Sequence, residues 1–368
     1  MTRHSAADGD RTTFTSRRRR TGVCALIALG AFTLTAAILL PTYAVPKLEK
    51  IPLDIEANTL SVAPGSSLVD ITQTSNGHAA TETGVPLIFR VYVTVQDPSD
   101  ADVVTLQAAT SMNRADRPDN DPISASVDRV TLDRSTGVPV ADPPGFLQTV
   151  QNKPPDSAVR KGFQYKFPFD TERTSYPYFD TIARVTRPID YTDDDRVEGG
   201  MQLYHFHQKL DPINLRIGQP DAKLTLAASN WGIPGGDQQV TFDLWYENER
   251  DLWVEPVSGA IVAVEEHLHR YLARSIDDPH ALTTLDARTK FGDTTLQHLT
   301  SVAKEARSNL LLVNRYGPIG LAGIGLLSFA AAAVLTRRSG GRVPEPGFDS
   351  EVAAADGQVT TSAASPRS

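Results

Sequence analysis

The sequence predicts a mainly β (α+β) fold, in which a β-sheet-rich extracytoplasmic domain lies between two terminal transmembrane helices. Two observations support this prediction. Each end of the chain contains a long apolar run without charges, and the part between them alternates strand-like segments with turn residues. That central part, about 270 residues, is long enough to bury a core without disulfides. The only cysteine, Cys24, lies outside it.

The first apolar run covers nineteen residues, 22–40, and predicts a transmembrane helix over residues 21–45. As an α-helix this run would be roughly 28 Å long, which matches the hydrocarbon thickness of a bilayer. The alternative is a cleaved signal peptide with Thr42-Tyr43-Ala44 as its cleavage site. We favour the retained helix because the run is longer than the apolar part of a typical signal peptide.

The second apolar run, Gly317–Leu335, predicts a transmembrane helix over residues 317–336. Gly317, Gly320 and Gly323 recur at every third position of this run. Small residues at such spacing are typical of membrane helices that pack closely against each other, so we expect these three to face the first helix.

Basic residues beside the two runs predict the orientation of the chain in the membrane, because they favour the cytoplasmic side. Arg17–Arg20 precede the first run, and three arginines follow the second: Arg337, Arg338 and Arg342. We expect a plasma-membrane protein with both termini in the cytoplasm and residues 46–316 outside it.

The central segment and the tails differ in charge and composition. Residues 46–316 hold 26 Lys and Arg against 38 Asp and Glu, a net charge of −12. Nucleic acid and anionic lipid surfaces repel such a domain, so we expect no nucleic-acid partner. The tails, 1–20 and 337–368, resemble disordered segments in composition.

Strand-like segments recur throughout the central domain, bounded by Pro, Gly, Asp and Asn. The predicted strands are Val85–Val95, Val127–Leu132, Phe163–Phe169, Gln202–Gln208, Lys223–Ala228, Val240–Glu247, Leu252–Val254 and Ala260–His269. At the end of the domain, apolar residues recur at helical spacing, which predicts a helix over residues 293–316.

Two predicted hairpins share one pattern, an acidic residue followed four positions later by glycine. The pairs are Asp133 with Gly137 and Glu255 with Gly259. Glycine closes such turns because it adopts positive φ at little steric cost. The repetition is compatible with a duplicated sheet and equally with common hairpin chemistry.

Seven aromatic residues lie within the nineteen residues 162–180: Phe163, Tyr165, Phe167, Phe169, Tyr176, Tyr178 and Phe179. The first four alternate, so on a strand their rings would share one face. Such a face normally fills a core, and we favour that interpretation. The alternative is a ligand-binding groove for acyl chains or sugars, to which these seven residues would contribute.

Two pairs of alternating histidines are candidate zinc ligands: His205 with His207, and His267 with His269. On a strand each pair would point to one face, as a metal site with a third converging ligand requires. The alternative, which we favour, is that each pair lies on the solvated face of a half-buried strand.

No motif in the sequence predicts catalysis. The acidic run at Asp190–Asp195 could suggest a calcium site, but it lacks the glycine and glutamate positions of an EF-hand, and we favour a solvated loop. Nucleophile elbows, phosphate-binding loops, dinucleotide fingerprints and zinc-protease helices are absent from the sequence. We therefore predict no catalytic residue and no cofactor.

Four segments resemble the actinobacterial porin PorA-like family: Lys161–Asp180, Tyr204–Gln208, Leu132–Gly137 and Tyr246–Val262. The resemblance extends from about residue 20 to residue 338. It implies a two-span membrane protein with an extracytoplasmic domain, in cell envelopes of the mycobacterial or corynebacterial type. It also implies a link to the maturation of envelope glycolipids or lipoglycans, and it supplies no catalytic residues.

Together these observations predict a non-catalytic plasma-membrane protein of envelope biogenesis. It would bind a lipid or lipid-linked glycan, or scaffold an envelope enzyme. Its partners would be the bilayer, envelope lipids or glycolipids, and other membrane proteins. One alternative is a metal-dependent hydrolase or transferase that uses the histidine pairs. The other is a pore, as the family name suggests, although pore strands are usually longer and carry an apolar outer band.

Overall fold

The computed structural model describes residues 8–69, 81–117, 122–150 and 152–337. They form two compact units. One is helical and comprises the described parts of Met1–Thr35 and Leu321–Ser368, and the other is the sheet unit, Ala36–Gly320. The mainly β fold predicted for the central domain is confirmed.

The described chain contains fifteen strands. They are β1 Glu56–Leu68, β2 Glu82–Gln96, β3 Val103–Arg114, β4 Ser124–Asp133, β5 Gly145–Gln148, β6 Asp156–Ala158, β7 Tyr176–Asp180, β8 Val185–Asp193, β9 Val197–Glu198, β10 Met201–Gln202, β11 Tyr204–Asn214, β12 Lys223–Ala227, β13 Gln239–Glu255, β14 Ala260–Ala273 and β15 Leu282–Phe291. β9 and β10 form a small separate hairpin.

The other thirteen strands form one antiparallel sheet in the order β6-β5-β4-β3-β2-β1-β15-β14-β13-β11-β8-β7, with β12 beside β13. Most neighbours are consecutive in sequence, because antiparallel strands can be joined by tight hairpins. The exceptions are β11, which pairs with β8 and β13, and β15, which pairs with β1 as well as with β14. The last strand of the domain therefore connects its two halves.

The two ends of this strand order are joined. The chain that follows β6 reaches β7, where Phe163 N donates to Pro177 O (2.8 Å) and Phe179 N donates to Phe163 O (2.9 Å). An ion pair between Arg184 and Asp156 (2.8 Å) links the same two ends. The sheet thus curls on itself, which protects its terminal strands from open-edge pairing.

One face of the curled sheet carries the main apolar cluster, which we call the inner core, and we call that face the core face. Its members come from β1, β2, β3, β11, β13, β14 and β15, and its largest include Leu87, Met112, Tyr246, Leu268 and Leu285. Since side chains alternate along a strand, the residues between these positions point to the opposite face.

The two predicted hairpin turns have the same hydrogen bonds. Gly137 N donates to Asp133 O (2.8 Å), and Gly259 N donates to Glu255 O (2.9 Å). Both glycines have positive φ, 75° and 71°. The acidic side chains close the turns by accepting backbone N–H groups, so the shared pattern reflects one turn chemistry.

One strand prediction was wrong, and two others were correct as strand but belong to a single element. Phe163–Phe169 is irregular, since Phe167 N donates to Gly259 O (2.9 Å) and Thr171 N to Pro256 O (2.7 Å), both in the turn between β13 and β14. The segments 240–247 and 252–254 belong to one continuous strand, β13. The polar stretch between them conceals this continuity in the sequence.

Helices occur at both ends of the described chain. They are α1 Asp8–Leu39, α2 Val45–Leu48, α3 Asp293–Leu311 and α4 Gly317–Arg337. Short π-helical turns connect α1 to α2 and α3 to α4. By length and composition, Arg20–Lys47 and Asp293–Arg337 each contain a stretch long and apolar enough to cross a membrane.

The helix boundaries differ in part from the predicted segments. α1 begins at Asp8, so helix occupies part of the predicted N-terminal tail. The helix predicted over residues 293–316 corresponds to α3 and the π-helical turn after it. Most of the predicted C-terminal tail lies outside the described residues.

The contact between α1 and α4 depends on two glycines. A Cβ atom on Gly325 would lie 2.8 Å from Leu34 Cγ and 2.9 Å from Thr33 Oγ1, and one on Gly30 would lie 3.2 Å from the Gly325 carbonyl oxygen. Of the three predicted glycines, a Cβ on Gly317 would lie 3.1 Å from Leu40 Cδ2 of the first predicted span, whereas Cβ atoms on Gly320 and Gly323 would meet no atom within 4 Å. The prediction that these two face the first helix was wrong, because α4 turns the face that contains Gly325 toward α1.

Replacing Gly325 with leucine should weaken the helix pair by roughly 1–3 kcal/mol, the usual range for overpacking. Gly320→Leu, at an open position of the same helix, is the matched control. A dye on Cys24 of the full-length protein would report separation of the helices during an SDS titration. We expect a lower midpoint for Gly325→Leu alone; equal midpoints for both variants would contradict the assigned contact.

Candidate functional site

The aromatic segment is divided between two parts of the core. Phe163 and Phe167 are buried with Tyr178 and Phe206, and the Phe167 and Phe206 ring centroids are 4.7 Å apart. Tyr176 packs edge-on against Phe167 in the same cluster (5.5 Å). These rings therefore fill space between elements of the sheet unit.

The remaining rings of the segment point elsewhere. Tyr165 packs in a separate cluster that includes Ile51, and its hydroxyl donates to the Asp128 carboxylate. The guanidinium of Arg160 lies 5.0 Å from the Phe179 ring centroid. Phe169 stacks under the Lys166 ammonium. The structure does not bring the seven predicted ligand-binding residues to one common face.

Lys166 lies within this aromatic segment and is mostly shielded from water. Its Nζ donates to Phe167 O (2.8 Å) and lies 3.5 Å from the Phe169 ring centroid. Burial lowers the pKa of Lys166 to about 7, although the carboxylates of Glu255 and Glu49 act in the opposite direction.

The histidine pairs lie on the face opposite the inner core and flank an acidic row on β13. His205 and His207 both contact Asp251 Oδ1, at 2.8 and 2.9 Å. On the other side of the row, His269 contacts Glu247 Oε1 (2.6 Å) and His267 contacts Asp286 Oδ1 of β15 (2.9 Å). Each imidazole thus has a carboxylate partner.

The four histidines do not form one metal cluster. β13 separates the two pairs, since it lies between β11 and β14. Within the described residues, only Asp193, Asp195 and His205 bring three ligand atoms within 4.8 Å of one another. The sequence prediction included His205 but neither aspartate.

The core face also carries a buried charged network that the sequence analysis missed. Arg250 of β13 donates from Nη2 to Asp180 Oδ2 (3.0 Å) and from Nη1 to Gln208 Oε1 (2.9 Å), and its Nε pairs with Glu266. The Tyr246 hydroxyl also donates to Asp180 Oδ2 (3.0 Å). This network joins β7, β11, β13 and β14.

Opposing effects set the ionisation of this network. Burial alone would lower the pKa of Arg250, but the carboxylates of Glu266 and Asp180 raise it well above its usual value. Burial, followed by the negative charge of Asp180, raises the pKa of Tyr246. Arg250 therefore stays charged and Tyr246 stays a neutral hydrogen-bond donor.

A second polar pair on the core face, Arg270 and Asn248, is only partly compensated: Asn248 Nδ2 donates to Glu266 Oε1 (3.4 Å), but one polar atom of each side chain is left without a partner. The buried Nε of Arg270 and the buried Oδ1 of Asn248 have no hydrogen-bond partner. Burial lowers the pKa of Arg270, and no carboxylate is among the groups that act on it. We call Arg270 and Asn248 the unpaired polar pair.

The residues that lie directly opposite the unpaired polar pair on the adjacent strands β13, β14 and β15 belong to the apolar cluster. Arg270 lies opposite Tyr246 of β13 and Leu285 of β15, and Asn248 lies opposite Leu268 of β14. All three of these neighbours belong to the inner core. Buried polar groups are normally hydrogen-bonded, so a donor and an acceptor left without partners beside apolar side chains are unusual.

The sequence contains little to indicate that these polar residues lie on the core face. From Tyr246 to Asp251 it is YENERD, which is polar on both faces of the strand. Strand alternation assigns Asn248 and Arg250 to the same face as Tyr246, but without the sheet that face cannot be recognised as buried. Arg270 belongs to a strand, β14, in which charges also occur at exposed positions, and Asp180 is the last residue of the short strand β7, where a charge would be expected in a turn.

The fold and the site define a mainly β protein with two potential membrane-spanning helices and polar groups inside an apolar core. The chain belongs to the Porin PorA family, whose model matches residues 23–334. This family places the chain among membrane proteins of the cell envelope that interact with the lipid bilayer.

Two similar proteins are each described as Porin PorA. The protein from Corynebacterium amycolatum is 29% identical over 322 residues, covering 74% of this chain and 83% of its own length. The protein from Corynebacterium resistens is 30% identical over 332 residues, covering 72% and 80%. The resemblance found in the sequence is thus confirmed.

Arg250 and Arg270 should respond differently to the same substitution. Arg250→Met leaves Asp180 and Glu266 without their cation and should destabilise the sheet unit by roughly 3–5 kcal/mol. Arg270→Met removes a half-buried charge that has no carboxylate partner and should leave stability unchanged or raise it. Denaturant unfolding of the full-length protein, followed by tryptophan fluorescence, measures both. Arg288→Met, on the exposed side of β15, is the control; an equal loss for Arg250→Met and Arg270→Met would contradict their assignment.

The pKa of Lys166 predicts a specific pH dependence of stability. Between pH 7 and the ordinary lysine value of 10.5, the unfolded chain binds a proton that the folded chain does not. Stability should therefore rise with pH across this window, by about 1.4 kcal/mol for each unit between the two pKa values. The contribution is measured as the difference between wild type and Lys166→Met in unfolding experiments from pH 6.5 to 10. Parallel pH profiles for the two proteins would contradict the lowered pKa.

Proposed function

We propose that this protein is a non-catalytic component of the cell envelope whose sheet domain binds one amphiphilic molecule. The ligand's anionic or phosphate-bearing headgroup would contact Arg270 and Asn248, and its acyl or prenyl chain would contact the inner core. The single observation that carries the proposal is the unpaired polar pair within the apolar cluster.

The chemistry of the pair favours a particular kind of headgroup. Arg270 supplies a cationic donor, and Asn248 Oδ1 supplies an acceptor. A phosphate monoester or a glycosylated phosphate offers acceptor oxygens to the guanidinium and a hydroxyl to the amide. A charge-assisted bond to arginine is also stronger than a neutral one.

The charge of the domain agrees with binding a single molecule in the interior. With 26 Lys and Arg against 38 Asp and Glu, residues 46–316 are repelled by an anionic membrane surface. Arg270 would instead attract one headgroup, because its own charge has no carboxylate partner. Presentation of a lipid-linked glycan to an envelope enzyme would use the same contacts.

The proposed topology places both termini in the cytoplasm and residues 46–316 outside the plasma membrane. The basic residues at both ends and the two apolar helices support it. Pore formation, which the name of the relatives suggests, has less support, because apolar side chains pack the core face of the described sheet.

Mass spectrometry of lipids that copurify with the full-length protein tests the binding proposal. Wild type, Arg270→Met and the control Arg288→Met would be purified in the same mild detergent from native membranes. We expect an anionic amphiphile to be enriched with wild type and with the control. Loss of a charge-assisted contact should reduce its amount in Arg270→Met roughly tenfold or more.

The proposal fails if no lipid is enriched above its level in the solubilised membrane. It also fails if Arg270→Met retains as much lipid as wild type. The unfolding measurements on the same variant separate lost binding from lost structure.

A further inference from the structure

Three potential metal ligands converge where β8 ends and β11 begins. Asp193 is the last residue of β8, Asp195 lies in the loop after it, and His205 is in β11. One ligand atom from each lies within 4.8 Å of the other two. All three belong to the sheet unit and lie apart from the unpaired polar pair on the core face.

The hydrogen bonds of His205 determine which ring nitrogen is free. Its Nε2 contacts Asp251 Oδ1 at 2.8 Å, and a carboxylate oxygen can only accept a hydrogen bond. Nε2 therefore carries the proton, and in the neutral ring Nδ1 has a free lone pair. Nδ1 is buried, has no hydrogen-bond partner and lies 3.4 Å from Asp193 Oδ1.

Such an arrangement favours a positive charge between these atoms, although Asp193 Oδ1 already accepts a hydrogen bond from Asp195 N (3.1 Å). A lone pair on Nδ1 and a carboxylate oxygen repel each other when nothing separates them. A metal ion removes the repulsion by accepting both atoms as ligands, and a second ring proton would do so by making the imidazole cationic. Nearby arginines do not supply the charge, since Arg196 pairs with Glu198 (2.9 Å) and Arg173 pairs with Asp194.

Neighbouring side chains hold the potential ligands in place through hydrogen bonds, as the residues around the ligands do in known metal sites. Ligating histidines usually donate their other N–H to a carboxylate, as His205 does to Asp251. Trp253 Nε1 donates to Asp195 Oδ1 (3.0 Å), and its ring stacks on the His205 ring with centroids 4.7 Å apart. Both contacts limit the movement of the ligands.

The other histidines of the two pairs provide a contrast. Both ring nitrogens of His269 have hydrogen-bond partners, Glu247 and Thr283. Of the four histidines in these pairs, only His205 has a buried ring nitrogen without a partner. The metal-binding feature thus belongs to His205 and not to the alternation of histidines.

We propose that Asp193, Asp195 and His205 Nδ1 bind one divalent transition ion of the zinc class. One nitrogen and two carboxylate ligands suit zinc, whereas calcium prefers six to eight oxygen ligands. The ion would fasten the loop after β8 to β11, and its remaining positions would be open to water. This inference is independent of the amphiphile-binding proposal, which concerns the other face of the sheet.

Calorimetric titration with zinc chloride tests the site. The full-length protein in detergent would first be treated with EDTA and dialysed, and calcium chloride would be titrated in parallel. We expect one zinc ion per chain and no comparable heat with calcium. Binding should weaken roughly tenfold or more in His205→Gln and in Asp195→Asn.

His267→Gln is the matched control, because His267 has a similar strand position and a carboxylate partner but is not in the three-ligand group. It should bind zinc as wild type does. Asp195 is exposed, and asparagine keeps the Oδ1 atom that accepts from Trp253 Nε1, so Asp195→Asn removes the charge and retains the contact with the core.

Two results would overturn the inference. One is zinc binding that is equal in wild type, His205→Gln and Asp195→Asn, which would place the ion elsewhere. The other is absence of zinc binding together with a His205 ring that carries protons on both nitrogens in its ¹⁵N spectrum at pH 7.5. The second ring proton would then supply the charge that we assign to the metal.

Discussion

The sheet depends on compensation of the charges on its core face. Arg250 is held by Asp180, Glu266 and Gln208, so one guanidinium joins the terminal strand β7 to β11, β13 and β14, which lie two to four places further along the order. Removing one partner of such a network leaves an uncompensated buried charge, which is far more costly than losing an exposed ion pair. The connection between β7 and these three strands therefore relies on polar contacts as well as on apolar packing.

Arg270 and Asn248 lie on the same face and are less well compensated, because Arg270 Nε and Asn248 Oδ1 have no hydrogen-bond partner and only the Asn248 amide nitrogen reaches Glu266. Two polar groups of adjacent strands, one cationic and one accepting, are left free within the inner core. Stability alone would favour apolar residues there. The amphiphile proposed above would supply the missing partners and would gain much of its affinity at these two positions.

The two faces of the sheet have different chemistry. The core face combines apolar packing with a few buried charges, and the opposite face carries histidines beside a row of carboxylates. On that face His205 differs from the other histidines by one buried nitrogen. An amphiphile on one side and a metal ion on the other would therefore act on different elements, and each can be removed without the other.

The sequence alone determined the class of this protein, because long apolar runs and strand-turn alternation depend only on neighbouring residues. It also predicted both hairpin turns, in which an acidic residue and a glycine act within five positions. Tertiary structure decided what alternation could not. The backbone of Phe163–Phe169 hydrogen-bonds to the turn before β14 and does not form a strand. Helix α4 packs against α1 through Gly325, and Gly320 and Gly323 make no such contact. The candidate sites likewise depend on strands distant in sequence, because whether a charge is paired or unpaired is a property of its spatial neighbours.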